Sequence, residues 1–230
     1  LNGGTLFPPV GQLTYMLTLS PYGFYWFILA RESQAPSWHT PAPEPMPDYV
    51  TLVLRDALAS GLRLPGNTSL LEREALPAYL LKRRWFAAKS QTIEAAHIAY
   101  TAPLAGGDRE LLLAEIETRI GGVPQRWQMP LAIFWEDEPA APLAGQLALS
   151  RVRLGRRVGL LTDAFAVPSF ALQVLQALAG GAEIETDEGR IVFQPMPGSE
   201  DVLRPRPEAT VSWLTAEQSN SSLIVDDAVM

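Results

Sequence analysis

Three stretches between Thr92 and Trp135 repeat with a period of two residues, and that pattern restricts the chain to a sheet-centred fold. TIEAAHIAYT (92–101), LLLAEIETRI (111–120) and QRWQMPLAIFW (125–135) are separated by Gly106-Gly107 and Gly121-Gly122. In an extended strand successive side chains point to opposite faces, so alternation marks strands with an inner and an outer face, and glycine accepts the positive φ that tight reversals need. The spacing predicts an antiparallel meander.

Helical patterns bracket it. In VPSFALQVLQALA (167–179), Pro168 sits near the start, Phe170, Leu172, Val174, Leu175 and Leu178 mark an apolar side, and Gly180-Gly181 stops the run. Two short strands follow, 182–186 and 190–194, joined through Asp187-Glu188-Gly189. Upstream, LPAYLLKRRWFAAKS (76–90) places Pro77 in a first helical turn, where a missing N–H costs nothing, and Tyr79, Leu80 and Leu81 on an apolar face. Lys82, Arg83 and Arg84 then meet the negative end of the helix dipole, and Trp85 and Phe86 are expected to pin the helix end to a sheet. Ser69 and Glu72 have the spacing of a capping box for a helix leading into Pro77. YVTLVLRDAL (49–58) starts as a strand and finishes as helix, and 136–157 reads as a loop over the sheet with a strand at 147–152. The fold class is α+β, an antiparallel curved sheet with flanking helices.

A chain of 230 residues with 47% apolar content has enough material for a packed core. Its net charge of −7 argues against nucleic acid or an anionic membrane as partner. The absence of cysteine excludes disulfides and thiolate chemistry, and two histidines, His39 and His97, cannot build a histidine-rich metal site. The longest apolar run, YGFYWFILA (22–30), is far shorter than the about 20 residues a membrane-spanning helix needs. With no signal-peptide pattern, the cytoplasm is the expected compartment. A start without Met and an end at AVM predict a piece of something longer.

The amino-terminal part reads as an orphan β-hairpin, 13–19 and 24–29, turning at Ser20-Pro21-Tyr22-Gly23. The aromatics of YGFYWF suit either a buried strand or a sugar-stacking platform. Residues 31–48, with five prolines, form a semi-extended linker whose Trp38-His39 reads as a dock onto a neighbour. His97 has no second ligand nearby in sequence and reads as a hydrogen-bonded or exposed strand residue. Glu115 and Glu117, two apart on one strand face, resemble a carboxylate pair and read as solvated charges. The most informative chemistry is EQSNSS (217–222) followed by the β-rich LIV, because small polar residues between strands can cradle phosphate through backbone N–H groups and hydroxyls. Taken by itself, QSNSS is equally an ordinary polar turn. No catalytic and no metal-binding residues are assigned.

Three of these stretches carry a resemblance. LPAYLLKRRWFAAKS resembles the opening of the N-terminal cap region of bacterial maltokinases, LPxxLxxQRWFAGKxR: Arg84, Trp85, Phe86, Ala87 and Lys89 match, while Arg83 replaces Gln and Ala88 replaces Gly. FPPVGQLTYMLTLSPYGFYWFIL (7–29) is similar to the last strands of the C-terminal β-domain of bacterial trehalose synthases, and EQSNSS to the EQSNTS that opens the maltokinase ATP-binding lobe, a resemblance that implies Ser219, Asn220, Ser221 and Ser222 as nucleotide-loop candidates. The resemblance implies residues 1–30 as the tail of a synthase β-domain, 31–47 as linker, 48–215 as a maltokinase-like cap and 216–230 as the start of a truncated kinase lobe. It implies a non-catalytic part of a bifunctional protein that interconverts maltose and trehalose and phosphorylates maltose to maltose 1-phosphate. This piece itself is expected to need no cofactor, whereas the whole kinase would use ATP and magnesium. Its implied partners are the missing kinase lobes and synthase domain of the same polypeptide, with maltose as the whole enzyme's substrate; the orphan amino-terminal strands add the expectation of a homo-oligomer through self-association. A carbohydrate-binding module and a purely structural adaptor are the rival readings.

Overall fold

The computed structural model describes residues 24, 49–88, 91–139, 142–199, 203, 209–213 and 222–226. The expected hairpin and the linker lie outside the described residues, except for Phe24, which is 73% exposed and in no strand.

In chain order the elements are β1 (Thr51–Leu54), α1 (Leu58–Leu62), α2 (Pro65–Leu70), a π-helical turn (Leu71–Ala75) and α3 (Leu76–Leu80). The meander follows as β2 (Ile93–Leu104), β3 (Leu111–Ile120) and β4 (Val123–Trp135). Then come α4 (Pro142–Gln146), β5 (Ala148–Leu154), β6 (Arg157–Asp163), a 3-10 turn (Ala164–Ala166), α5 (Pro168–Gly180), and the antiparallel pairs β7 (Glu183–Thr186) with β8 (Gly189–Val192) and β9 (Val211–Trp213) with β10 (Leu223–Val225). The main sheet has six strands in the order β1-β5-β6-β4-β3-β2. It is mostly antiparallel, and register shifts in β2 and between Ala148 and Ser150 fit its curl, since an extra residue on one strand bends it.

Both faces of this sheet are covered, which explains why β3 opens with three consecutive leucines. Leu112, Ala114, Ile116 and Ile120 enter a core with Leu58, Leu62, Leu76 and Leu80 of the amino-terminal helices. Leu111 and Leu113 enter a second cluster with Ala102, Leu104, Val167 and Ala177. Each leucine buried this way contributes about 1.5–3 kcal/mol of transfer free energy. A third cluster lies on the other side of α5, where Ala171 and Leu175 meet Leu203 and Val225. The helix is therefore apolar on two sides. Its end follows the sequence: Gly181 takes the left-handed conformation (φ 58°) that closes a helix with least strain in glycine.

Trp85 and Phe86 do anchor α3 to the sheet. Phe86 is 1% exposed and its ring centroid lies 5.0 Å from that of Trp127 on β4, with Trp85 at 5.8 Å from the same ring. Three expectations are corrected. The sheet is not wholly antiparallel, because β1 runs parallel to β5, pairing Thr51 with Arg151 through Leu54 with Leu154. Ser69 lies inside α2, whose N-cap is Leu64 with Pro65 at its start, so Ser69 and Glu72 form no capping box. Helical backbone instead runs from 65 to 80, and Leu76 N–H reaches back five residues to Leu71, a widening that accommodates the ring of Pro77. Finally, the expected loop at 136–157 contains α4 and leads into a hairpin, β5 to β6, turning at Gly155 (φ 59°). Gly159 on β6 pairs with Trp135 and has no room for a Cβ, which would stand 2.9 Å from Trp135 Cε3 and 2.6 Å from the Phe134 carbonyl oxygen.

Candidate functional site

Three polar centres are built on this frame. The first is buried. Tyr79 on α3 donates its hydroxyl to Asp163 Oδ2 at 3.0 Å, across 84 residues of sequence, and Phe165 N–H donates to the other carboxylate oxygen at 3.0 Å. The Arg83 guanidinium lies 4.3 Å from the Tyr79 ring centroid, and its Nη1 donates to the Gln146 carbonyl at 3.4 Å. Burial pushes the Asp163 carboxyl above its ordinary range, opposed by the Phe165 amide, the Tyr79 hydroxyl and the Arg83 charge. Burial and the Asp163 charge push the Tyr79 hydroxyl far up, so it stays a neutral donor. This constellation is closed off from solvent and clasps α3 to the end of β6.

The second centre covers the outer face of the meander. Arg126 on β4 reaches Glu115 at 2.7 Å, Glu117 at 3.3 Å and Glu188 in the β7–β8 turn at 2.7 Å. Those contacts, first among them the hydrogen bond to Glu188, raise the already high affinity of Arg126 for its proton. His97 stands across the ladder from Glu117 with Nε2 at 3.9 Å. Glu115 and Glu117, on one face of β3, thus share a single arginine with Glu188 and are partly buried, and His97 is a half-exposed strand residue beside one of them. Among the described residues no three His, Asp or Glu side chains are grouped to hold a metal.

The third is an open cleft of about 670 Å³ between the β2–β3 loop, the end of β4 and the start of α5, lined in part by Arg109, Trp135, Glu138, Arg157 and Ser169. Its cations are committed: Arg109 binds the Ile133 carbonyl and the Glu138 carboxylate. Arg157 binds Asp137 at 2.9 Å, holding that carboxyl below its ordinary range, while its guanidinium lies 4.3 Å from the Trp135 ring centroid. Ser169 Oγ is buried without a hydrogen-bond partner. Glu110, at the end of the β2–β3 loop, accepts from the Leu58 and Ala59 amides at 2.7 and 3.1 Å and so caps α1 from 52 residues away.

Of the nucleotide-loop candidates, Ser219, Asn220 and Ser221 lie outside the described residues, and Ser222 is half-buried immediately ahead of β10. The structure does not bring Ser222 into any of the three centres. The Tyr79–Asp163 pair and the cleft were not read from the sequence; an aspartate at the end of an apolar strand, LLTD, was the available signal for the first. No helix among the described residues is long and apolar enough to cross a membrane.

The fold is that of a mixed α/β domain with a curled, mostly antiparallel sheet and few helices, and residues 79–166 match the family model of the maltokinase N-terminal cap domain. A second likeness is to a trehalose synthase from Pimelobacter sp. (strain R48), 66% identical over 29 residues, which are 13% of this chain and 5% of that protein. Together the two likenesses support a trehalose synthase/maltokinase-like fusion.

Proposed function

We propose that this chain is the non-catalytic linker and cap of such a fusion, a structural adaptor that sets the orientation of a synthase domain and a kinase domain. The observation that carries this reading is the cap-domain match over 79–166, a stretch whose first residue, Tyr79, is hydrogen-bonded to Asp163 near its end, so that the matched sequence is closed on itself as one structural unit. The short likeness to a trehalose synthase supports the other half. In this reading the whole polypeptide interconverts maltose and trehalose and transfers phosphate from ATP to maltose with magnesium, in the cytoplasm. Ser219, Asn220, Ser221 and Ser222 would open the nucleotide-binding loop, and the groups that hold magnesium and activate the sugar hydroxyl would lie outside this chain.

A carbohydrate-binding module is the weaker reading, because the large aromatic faces described here are packed against protein: Trp85 and Trp127 against each other and Phe86, Trp135 against Gly159 and Arg157. The test is magnesium-dependent phosphorylation of maltose by ATP, run in parallel on this chain and on a longer polypeptide carrying the kinase lobes. Activity in the longer protein alone supports the adaptor; activity in neither overturns the maltokinase reading, and maltose or glycogen binding by this chain favours the module.

A further inference from the structure

Among the described residues β1 is an outer strand of the six-stranded sheet, and an outer strand carries backbone groups that can template another strand. In a parallel ladder alternate residues bond to the neighbour. Arg151 N–H donates to the Val50 carbonyl at 2.9 Å, so the residues in phase with Val50 serve β5, and Val53 turns its N–H and C=O outward. Both outward groups are taken by one side chain. Val53 N–H donates to Asn67 Oδ1 at 3.2 Å, and Asn67 Nδ2 donates to the Val53 carbonyl at 2.9 Å. The same Nδ2 donates to the Gly61 carbonyl at 2.9 Å, which fixes the carboxamide in place, and Asn67 is only 7% exposed. A carboxamide presents one acceptor and one donor in the arrangement of a peptide group, so Asn67 stands where one residue of an added strand would stand.

The strand it seals is suited to a second copy of this chain. TLVL is uncharged and rich in β-branched residues, and Val53 is exposed on its outer face. Antiparallel pairing about Val53 would let two copies exchange both outward hydrogen bonds at the two-fold axis. It would place Arg55 opposite Thr51, with no like charges facing. We infer that Asn67 is a sheet terminator, which keeps a second copy of this chain from adding to β1.

Amide hydrogen exchange on the unaltered chain gives the first readout: Val53 N–H, though on an outer strand, is expected to exchange at least about tenfold more slowly than an exposed amide. Exchange at the exposed rate overturns the inference. Sedimentation velocity on Asn67→Ala is expected to show a concentration-dependent species twice the mass of the unaltered protein. Adding Val53→Lys, a charge on the exposed face of the same strand, is expected to return the mass to that of the parent. An Asn67→Ala protein that keeps its near-ultraviolet dichroism and the parent mass at every concentration overturns the inference, as does association that Val53→Lys leaves unchanged.

Discussion

Replacing Tyr79 with Phe isolates the buried clasp, because the ring, its packing and the Arg83 guanidinium over it are kept while one hydroxyl is removed. A hydrogen bond to a neutral partner contributes about 0.5–1.5 kcal/mol and one to a charged partner about 1.5–3 kcal/mol, so the size of the loss depends on the state of Asp163. Burial raises the folded-state pKa of Asp163 above its ordinary 3.8. Such a group contributes stability below the unfolded value that is lost as pH rises through the folded value. The Tyr79 hydroxyl is among the groups that pull this pKa back down, so its removal pushes the pKa higher still and steepens the loss. The penalty for Tyr79→Phe is therefore expected to be about 1 kcal/mol at acid pH, where Asp163 is protonated, and about 2–3 kcal/mol once it ionises. Urea titrations followed by tryptophan fluorescence across a pH series read how the penalty varies, and in an Asp163→Asn background that variation should vanish. A penalty that stays constant across the series, or that falls as pH rises, would refute the reasoning.

Phe86→Ala empties a site that is 1% exposed between two tryptophans and is expected to cost about 3–5 kcal/mol, with a blue-to-red shift of tryptophan emission as Trp127 is uncovered. Glu110→Ala removes the acceptor for the Leu58 and Ala59 amides and is expected to cost about 0.5–2 kcal/mol in the same denaturation assay, with faster exchange at those two amides.

The meander was legible because its signals are local: alternation fixes the faces, and glycine pairs fix the reversals. Helix α5 was legible for the same reason, from Pro168 to Gly181. What lay outside the reach of local pattern is whatever depends on distant partners. β1 joins β5 across 100 positions, Thr51 to Arg151, and nothing in TLVL says that the pairing is parallel. The Ser69 and Glu72 spacing misled because Pro65 had already started the helix four residues earlier, leaving no free amides for a cap to serve. The second strand of the β5–β6 hairpin was missed because its basic beginning, Arg156-Arg157, masked the alternation that follows it. Among the polar centres, Glu115 and Glu117 read as solvated charges from their own strand, but Arg126 of the neighbouring strand engages both, and the Tyr79–Asp163 clasp likewise joins two residues that look unremarkable in their own segments.

The 100-residue separation between β1 and its partner also sets an order of events at the ribosome. At about 5–20 residues per second, β1 emerges roughly 5–20 s before β5 has been made. During that interval Leu52 and Leu54 have no sheet to enter, but Asn67 follows Val53 by 14 residues and can be in place on the outer edge almost at once. A strand sealed in this way would have only the edge meant for β5 open when β5 arrives.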